Sequence, residues 1–259
     1  MTAQTVPSDL TKFFILSMEP SLKTFRQFIR RLLHRLTLFC GFRLVRAEPF
    51  ERAIRRFELK HDDFYFVQIG AYNGVTSDPF LRFIIEGVWT CVLVEPQQRH
   101  WSILQAIYSD RENITCSNTA ISTENKVARL HMVRDDVEGL PHWASQLASF
   151  RHEVIVSHED RIPGIRDLIV TQKVECRTLA ALITEHQLPR VDLLAIDVEG
   201  YDFEVIRQID DLSVKPRFIY YEHLHLPDEQ YRESLAFLAE RGYQTHSVNE
   251  GDTFAELEG

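Results

Sequence analysis

Asp197 and Glu199 fall where a buried strand should end. Val191 to Ile196 is a nearly unbroken apolar run, as expected of a strand covered on both faces in a parallel sheet. Gly200 then lets the backbone turn sharply. Ligands of open α/β sheets sit outside the carboxyl ends of the strands, so acids placed there are candidates for chemistry rather than packing. Asp202 opens the helical pattern Phe203, Val205, Ile206, Ile209 and can cap it. Capping by Asp202 leaves Asp197 and Glu199 without a structural task. A second acidic group, Glu222-His223-Leu224-His225, follows the apolar stretch 217–221. Strand alternation would put His223 and His225 on one side and Glu222 with Leu224 on the other. Asp197, Glu199, Glu222, His223 and His225 are therefore expected at adjacent strand ends. A hydroxyl becomes a good nucleophile only as its proton leaves, which calls for a carboxylate or imidazole within hydrogen-bond reach. His223 or Asp197 is the expected base, and a hydrogen-bonded structural pair is the other use of the two histidines. Oxygen and imidazole donors also suit several divalent metals. Asp197, Glu222 and one histidine would be the set, although no tight ligand spacing demands an ion.

A second constellation lies earlier in the chain. The strand pattern 64–69 runs into Gly70-Ala71-Tyr72-Asn73-Gly74 and then into the helical stretch 76–86. A strand, a glycine turn and a helix start make a pocket in which backbone N–H groups can approach a ligand closely. Gly-x-x-x-Gly is not the Gly-x-Gly-x-x-Gly of dinucleotide binders, which counts against a nicotinamide-dependent oxidoreductase. The next buried strand, Cys91 to Val94, is closed by Glu95-Pro96. An acid at that place can accept both hydroxyls of a ribose. Together the two features point to a nucleoside ligand. A third strand, 114–118, brings Thr119 and Ala120 to the same edge.

The elements around these groups alternate strand and helix, which is an α/β domain with a doubly wound, mostly parallel sheet. Helices are expected over 98–108, 179–186, 202–210 and 228–241, and strands over 127–133, 174–177, 243–248 and 254–257, the last two closing the sheet in antiparallel fashion. Residues 134–173 lose periodicity, and a long irregular segment within a domain is usually functional or mobile. They are expected to form a lid or substrate segment of a domain spanning 61–259. Residues 1–60 form a basic helical extension: they hold 12 Lys and Arg against 5 Asp and Glu, and the rest of the chain holds 17 against 33, from totals of 29 and 38. So acidic a body repels an extended polyanion, which excludes nucleic acid as a partner of that face. Within the extension, Leu22, Phe25, Phe28, Ile29, Leu32, Leu33, Leu36 and Phe39 recur at helical spacing opposite a basic face. Residues 22–39 suit either packing and self-association or peripheral contact with an anionic membrane surface. Cys40, Cys91, Cys116 and Cys176 are scattered without a Cys-x-x-Cys pair, as in a protein with reduced thiols. With no spanning apolar run and no secretory leader, the expected location is cytoplasmic, with the inner membrane face as a possible docking surface.

In combination and order, Val67-Gln-Ile-Gly-Ala-Tyr-Asn-Gly-Val-Thr-Ser-Asp-Pro79, Leu93-Val-Glu-Pro96, Ile196-Asp-Val-Glu-Gly-Tyr-Asp202 and Tyr221-Glu-His-Leu-His-Leu226 resemble the FkbM family of S-adenosylmethionine-dependent methyltransferases. The resemblance covers roughly residues 64–248 and implies a class I methyltransferase fold, Rossmann-like in its layers. It implies S-adenosylmethionine as cofactor, with Gly70, Ala71 and Gly74 at its methionine part and Glu95 at its ribose. Gln68, Pro96, Ala120 and Asp197 complete the expected cofactor contacts. Many family members methylate hydroxyl groups of sugars or natural products, so a small-molecule or glycan acceptor is implied. An acid is common at the position of Gln68, where it helps hold the cofactor's amino group, and this chain departs from that pattern. A non-catalytic cofactor-binding or assembly module is the alternative that the departure raises. Amino methylation typically goes with an Asn/Asp-Pro-Pro-Tyr motif, and Asp197-Val-Glu-Gly200 stands in its place.

Overall fold

The structure is a computed structural model and describes residues 48–258 except Val88 and Asp135. The amphipathic stretch 22–39 and Cys40 lie outside the described residues. In chain order the elements begin with helix α1 (Pro49–Glu58), strand β1 (Tyr65–Ile69), helix α2 (Leu81–Glu86), strand β2 (Thr90–Val94), helix α3 (Gln98–Tyr108) and strand β3 (Ile114–Ser117). Strands β4 (Ala120–Ile121), β5 (Lys126–Val133) and β6 (Ala148–Ser149) follow, then helices α4 (His152–Val156) and α5 (Ile165–Leu168) and strand β7 (Ile169–Arg177). The remainder is α6 (Leu179–Glu185), β8 (Leu193–Ile196), α7 (Asp202–Ile206), β9 (Phe218–Glu222), α8 (Asp228–Glu240), β10 (Tyr243–Ser247) and β11 (Asp252–Leu257).

Seven strands form the main sheet in the order β10-β11-β9-β8-β1-β2-β3. The five from β3 to β9 are parallel, and β11 runs antiparallel to both β9 and β10. The chain winds outward from β1 to β3, then returns to lay β8 against the other side of β1. That reversal opens a crevice at the carboxyl ends of β1 and β8, where doubly wound sheets bind ligands. Alternation along the parallel strands feeds two cores. Val67, Ile69, Val92, Val94, Leu194 and Ile196 pack on one face with Leu182, Phe203 and Ile206. Phe66, Cys91, Leu93, Leu193 and Ala195 pack on the other with Ile54, Phe83 and Leu104. Burial on both faces explains the unbroken apolar runs. Cys91, Cys116 and Cys176 are free thiols.

Helix α1 belongs to this unit. Glu48 and Glu51 cap its start reciprocally with Pro49 at the first turn, and Phe50 meets Phe80, Tyr220 and Phe254 edge-on or tilted. The compact unit accordingly begins at Glu48 rather than after residue 60. Residues 134–173 hold more regular structure than their sequence pattern suggests: β6 and the first half of β7 lie in them and join β4 and β5 in a second, four-stranded sheet. Val133, Ala144, Leu147, Ile155, Ile162 and Ile165 give this segment a core of its own. The helix expected from Thr76 starts only at Leu81. Asn73 Oδ1 accepts from the N–H groups of Val75 and Thr76, Asp78 accepts from Phe80 N–H, and Ser77 adopts φ +59°, so a tight loop fills 70–80. Among the described residues, no helix is long and apolar enough to cross a membrane.

If α1 is integral to the sheet unit, Ile54→Ala, at a fully buried position, should cost about 2–5 kcal/mol in urea unfolding. A loss below about 1 kcal/mol would show that the helix only rests on the surface.

Candidate active site

A cavity of about 370 Å³ opens at the carboxyl ends of β1, β2, β8 and β9. Its floor exists because two backbones nearly touch. Gly70 has φ +82°, and a Cβ on it would sit 1.8 Å from the Asp197 carbonyl oxygen. No side chain fits there, so glycine alone lets β1 and β8 end side by side. The turn is then swung toward β2, since both Gly70 N–H and Ala71 N–H donate to Val94 O at 3.0 and 2.9 Å.

One end of the cavity is lined by Gln68, Gly70, Ala71, Asp78, Glu95, Pro96, Gln97 and Ala120. The buried Glu95 carboxylate accepts from Tyr72 N–H at 2.9 Å and Gln97 N–H at 2.8 Å. Tyr72 is held at φ +47° by that bond, a costly conformation for a non-glycine residue and one that clusters at functional sites. Burial pushes Glu95 up to about 8 against the opposing pull of the two N–H groups. Asn118 fixes the turn from behind by donating to the carbonyls of Glu95 and Pro96. Gln68 and Asp78 share this wall, and burial raises the pKa of Asp78 against the pull of the Phe80 N–H. Gln68 Oε1, Asp78 Oδ2 and Gln97 Oε1 are buried in this wall without a hydrogen-bond partner. Orphaned polar atoms of this kind call for a ligand or water, and a nucleoside with an amino-acid tail offers suitable donors. Gly74 does not line the cavity. Its missing Cβ instead makes room for Leu104 and Tyr108 of α3, and Tyr108 Oη donates to its carbonyl.

The opposite end is acidic. Asp197, Glu199, Glu222 and Asp252 line it, with Glu222 and Asp252 directly opposed across β9 and β11. Asp197 is surrounded by protein yet open to the cavity, and burial with repulsion from Asp252 pushes it up to about 6. Burial first, then neighbouring carboxylates, also raises Glu199 and Glu222. Asp202 does not cap the helix it opens. Its side chain turns back to accept from Val198 N–H and Gly200 N–H, and burial lifts it to about 8. Those bonds hold Glu199 at φ +52°. Ser149 Oγ donates to Glu199 O and Arg151 to Gly200 O, so the second sheet clamps the same loop.

The two histidines part company, contrary to the alternation expected of them, because the strand ends at Glu222 and a turn follows. His225 Nε2 comes within 3.1 Å of Glu199 Oε2 and 4.0 Å of Glu222 Oε2. Burial depresses its pKa to about 4. His223 leaves the cavity, stacks on Tyr231 and hydrogen-bonds Thr253 Oγ1. It is in no position to serve as the base. Sequence patterns passed over Asp78, Ser149 and Asp252. Only Asp78 carried a visible signal, as a lone acid inside the glycine-turn stretch.

A reversed terminal hairpin beside five parallel strands, with the cavity at their switch point, defines a Rossmann-like methyltransferase architecture. The chain belongs to the FkbM methyltransferase family: residues 68–245 match the methyltransferase FkbM domain. Among solved structures, the FkbM methyltransferase of Methylobacillus flagellatus KT is 15% identical, with a TM-score of 0.44 over 76% of this chain and 44% of that one. The chain thus spans less than half of that protein. Fibrillarin of Aeropyrum pernix, solved with S-adenosyl-L-methionine, is 13% identical over 74% of this chain and 66% of its own, with a TM-score of 0.40. A precorrin-6y C5,15-methyltransferase of Geobacter metallireducens GS-15 is 12% identical over 80% and 86%, with a TM-score of 0.38. None of the curated proteins compared matches the sequence.

The two glycines of the turn should respond differently to substitution. Gly70→Ala meets backbone and should cost more than about 4 kcal/mol or abolish folding. Gly74→Ala meets side chains 2.4 and 2.9 Å away and should cost about 2–3 kcal/mol. Equal losses in urea unfolding would contradict the close approach at Gly70.

Proposed function

We propose that the protein is an S-adenosylmethionine-dependent O-methyltransferase acting on a hydroxyl of a sugar, glycan or glycosylated small molecule. One observation carries the reading: a single cavity joins a nucleoside-type end at Glu95 to a carboxylate-rich end at Asp197 and Glu222. When bound, the cofactor would supply a methyl group already activated on a cationic sulfur. The protein is left to align an acceptor oxygen and take its proton.

Glu95 retains acceptor capacity beyond its two N–H bonds and would receive the ribose hydroxyls. Asp78 supplies the acid that Gln68 lacks. Phe80 N–H holds Oδ1 of the Asp78 carboxylate, and Oδ2 is left to receive the cofactor's ammonium group. The acid common on the first strand has in effect moved to the following loop, which favours a functional cofactor site over a degenerate one. Asp197 is the favoured base, because it opens to the cavity beside the floor, whereas His223 faces away. Glu199 and Glu222 would line the acceptor, with His225 behind them and Phe150 and Tyr201 offering aromatic surface of the kind that packs against the apolar face of a sugar ring. The acidic body suits a neutral or cationic acceptor rather than a polyanion. A cytoplasmic site of action, at or near the inner membrane face, remains part of the proposal.

Calorimetric titration with S-adenosylhomocysteine tests the cofactor end. Micromolar binding is expected, weakened by about 1.5–3 kcal/mol in Glu95→Ala and by a similar amount in Asp78→Asn. Unchanged affinity in both variants would sink the placement. Only the Glu95 carboxylate accepts both hydroxyls, and its folded pKa is raised to about 8. Affinity should therefore climb between about pH 6 and pH 8, level off above, and lose that dependence in Glu95→Gln. A flat wild-type profile would show that Glu95 does not bear the ribose.

A further inference from the structure

We propose that Glu199, Glu222 and His225 form a divalent-cation site at the acceptor end of the cavity, and that the cation grips two adjacent oxygens of the acceptor. The acceptor role rests on the methyltransferase reading; the cation site stands apart from it.

One ligand atom from each of the three residues lies within 4.8 Å of the others, so a single point reaches all three. His225 Nε2 and Glu199 Oε2 are 3.1 Å apart. Two neighbouring ligands of an ion about 2.1 Å from each are separated by about 3 Å. Glu222 Oε2 stands 4.0 Å from the same nitrogen, which a side-chain rotation closes.

The atoms aimed at this point are otherwise unused. The Glu199 and Glu222 side chains are 15% and 17% exposed, and the Oε2 atom of each is buried and accepts no hydrogen bond. His225 Nε2 lies 3.1 Å from Glu199 Oε2, yet that oxygen has no hydrogen-bond partner. Among the described residues, no lysine or arginine pairs with either glutamate. Buried carboxylates are ordinarily paired or coordinate a metal. The three ligands are also held in place: Asp202 and Ser149 fix the Glu199 loop, and Gly200 lets that loop pass close to the His225 carbonyl, which a Cβ would approach to 2.9 Å.

Two carboxylates and one imidazole suit Mn2+, Fe2+ or Zn2+ and leave positions open. Those positions face the cavity, since Glu199 and Glu222 line it. An acceptor with a hydroxyl next to a second oxygen, such as a vicinal diol, would fill two of them, and a hydroxyl bound to a cation loses its proton more readily. Asp197 remains to take that proton as the new carbon–oxygen bond forms and the sulfur–carbon bond breaks.

The test uses the full chain, stripped with chelator and titrated with MnCl2, with free Mn2+ read by electron paramagnetic resonance. One saturable site per chain is expected, weakened at least tenfold in Glu222→Gln and in His225→Asn, with near-ultraviolet circular dichroism confirming that both are folded. Absence of saturable binding to the wild type, or unchanged affinity in both variants, overturns the proposal. Should a variant fail to fold, the wild type still decides. Its bound Mn2+ must show hyperfine coupling to one imidazole nitrogen, and saturable binding without that coupling overturns the assignment. Titration of the same preparation with S-adenosylhomocysteine separates the two readings. Cofactor binding without Mn2+ binding removes the cation site and spares the methyltransferase site, and the converse result does the reverse.

Discussion

The contact between Gly70 and the carbonyl of Asp197 governs the carboxyl edge of the sheet. Two adjacent parallel strands end there, and their chains must leave in opposite directions for a crevice to open. Gly70 and Ala71 go toward β2, tethered to the Val94 carbonyl, and the chain after Asp197 brings Gly200 against the His225 carbonyl that follows β9. Any Cβ at position 70 would force the strand ends apart. The crevice and the placement of Asp197 at its mouth thus share one steric cause.

Electrostatics then divides the cavity. At one end, backbone N–H groups converge on Glu95, and the remaining acceptors of Gln68, Asp78 and Gln97 are unmet. At the other, Asp197, Glu199, Glu222 and Asp252 line one wall, and burial with repulsion from neighbouring carboxylates disfavours the charged forms of Asp197, Glu199 and Glu222. A cationic ligand relieves that repulsion, so this end of the cavity is electrostatically suited to positive charge. Asp192 and Asp197 flank the same strand and show what position does to chemistry. Asp192, at the amino end, is satisfied by Tyr65 N–H and the Arg190 guanidinium. Asp197, at the carboxyl end, is turned toward the space where ligands enter.

Local pattern revealed much of this. The apolar runs at β1, β2 and β8 were legible because strands buried on both faces have no polar positions. Glu95 and Asp197 stood out because each breaks such a run at its carboxyl end. What stayed hidden depended on partners distant in sequence. The first half of β7, Ile169–Lys173, is polar enough to pass for a loop and is made a strand by eight-residue pairing with β5. The alternation of His223 and His225 failed because Thr253, remote in sequence, and Tyr231, in the helix that follows, capture His223 just after the strand has ended. Gly74 lies in the right turn for a ligand and serves α3 packing instead. Asp78 was visible as an acid, but its place in the cavity wall beside Gln68 arises only when the loop folds back on β1.

The second sheet reaches the site chiefly through backbone carbonyls: Ser149 to Glu199, Arg151 to Gly200, and Gln172 to Pro96. A donor that binds a main-chain oxygen is indifferent to the side chain its partner carries. Provided those three donors stay, most of residues 134–173 can be rewritten during divergence without disturbing the scaffold beneath. Sequence change in that segment would then reshape one wall of the cavity and leave the strand ends of the main sheet where they are.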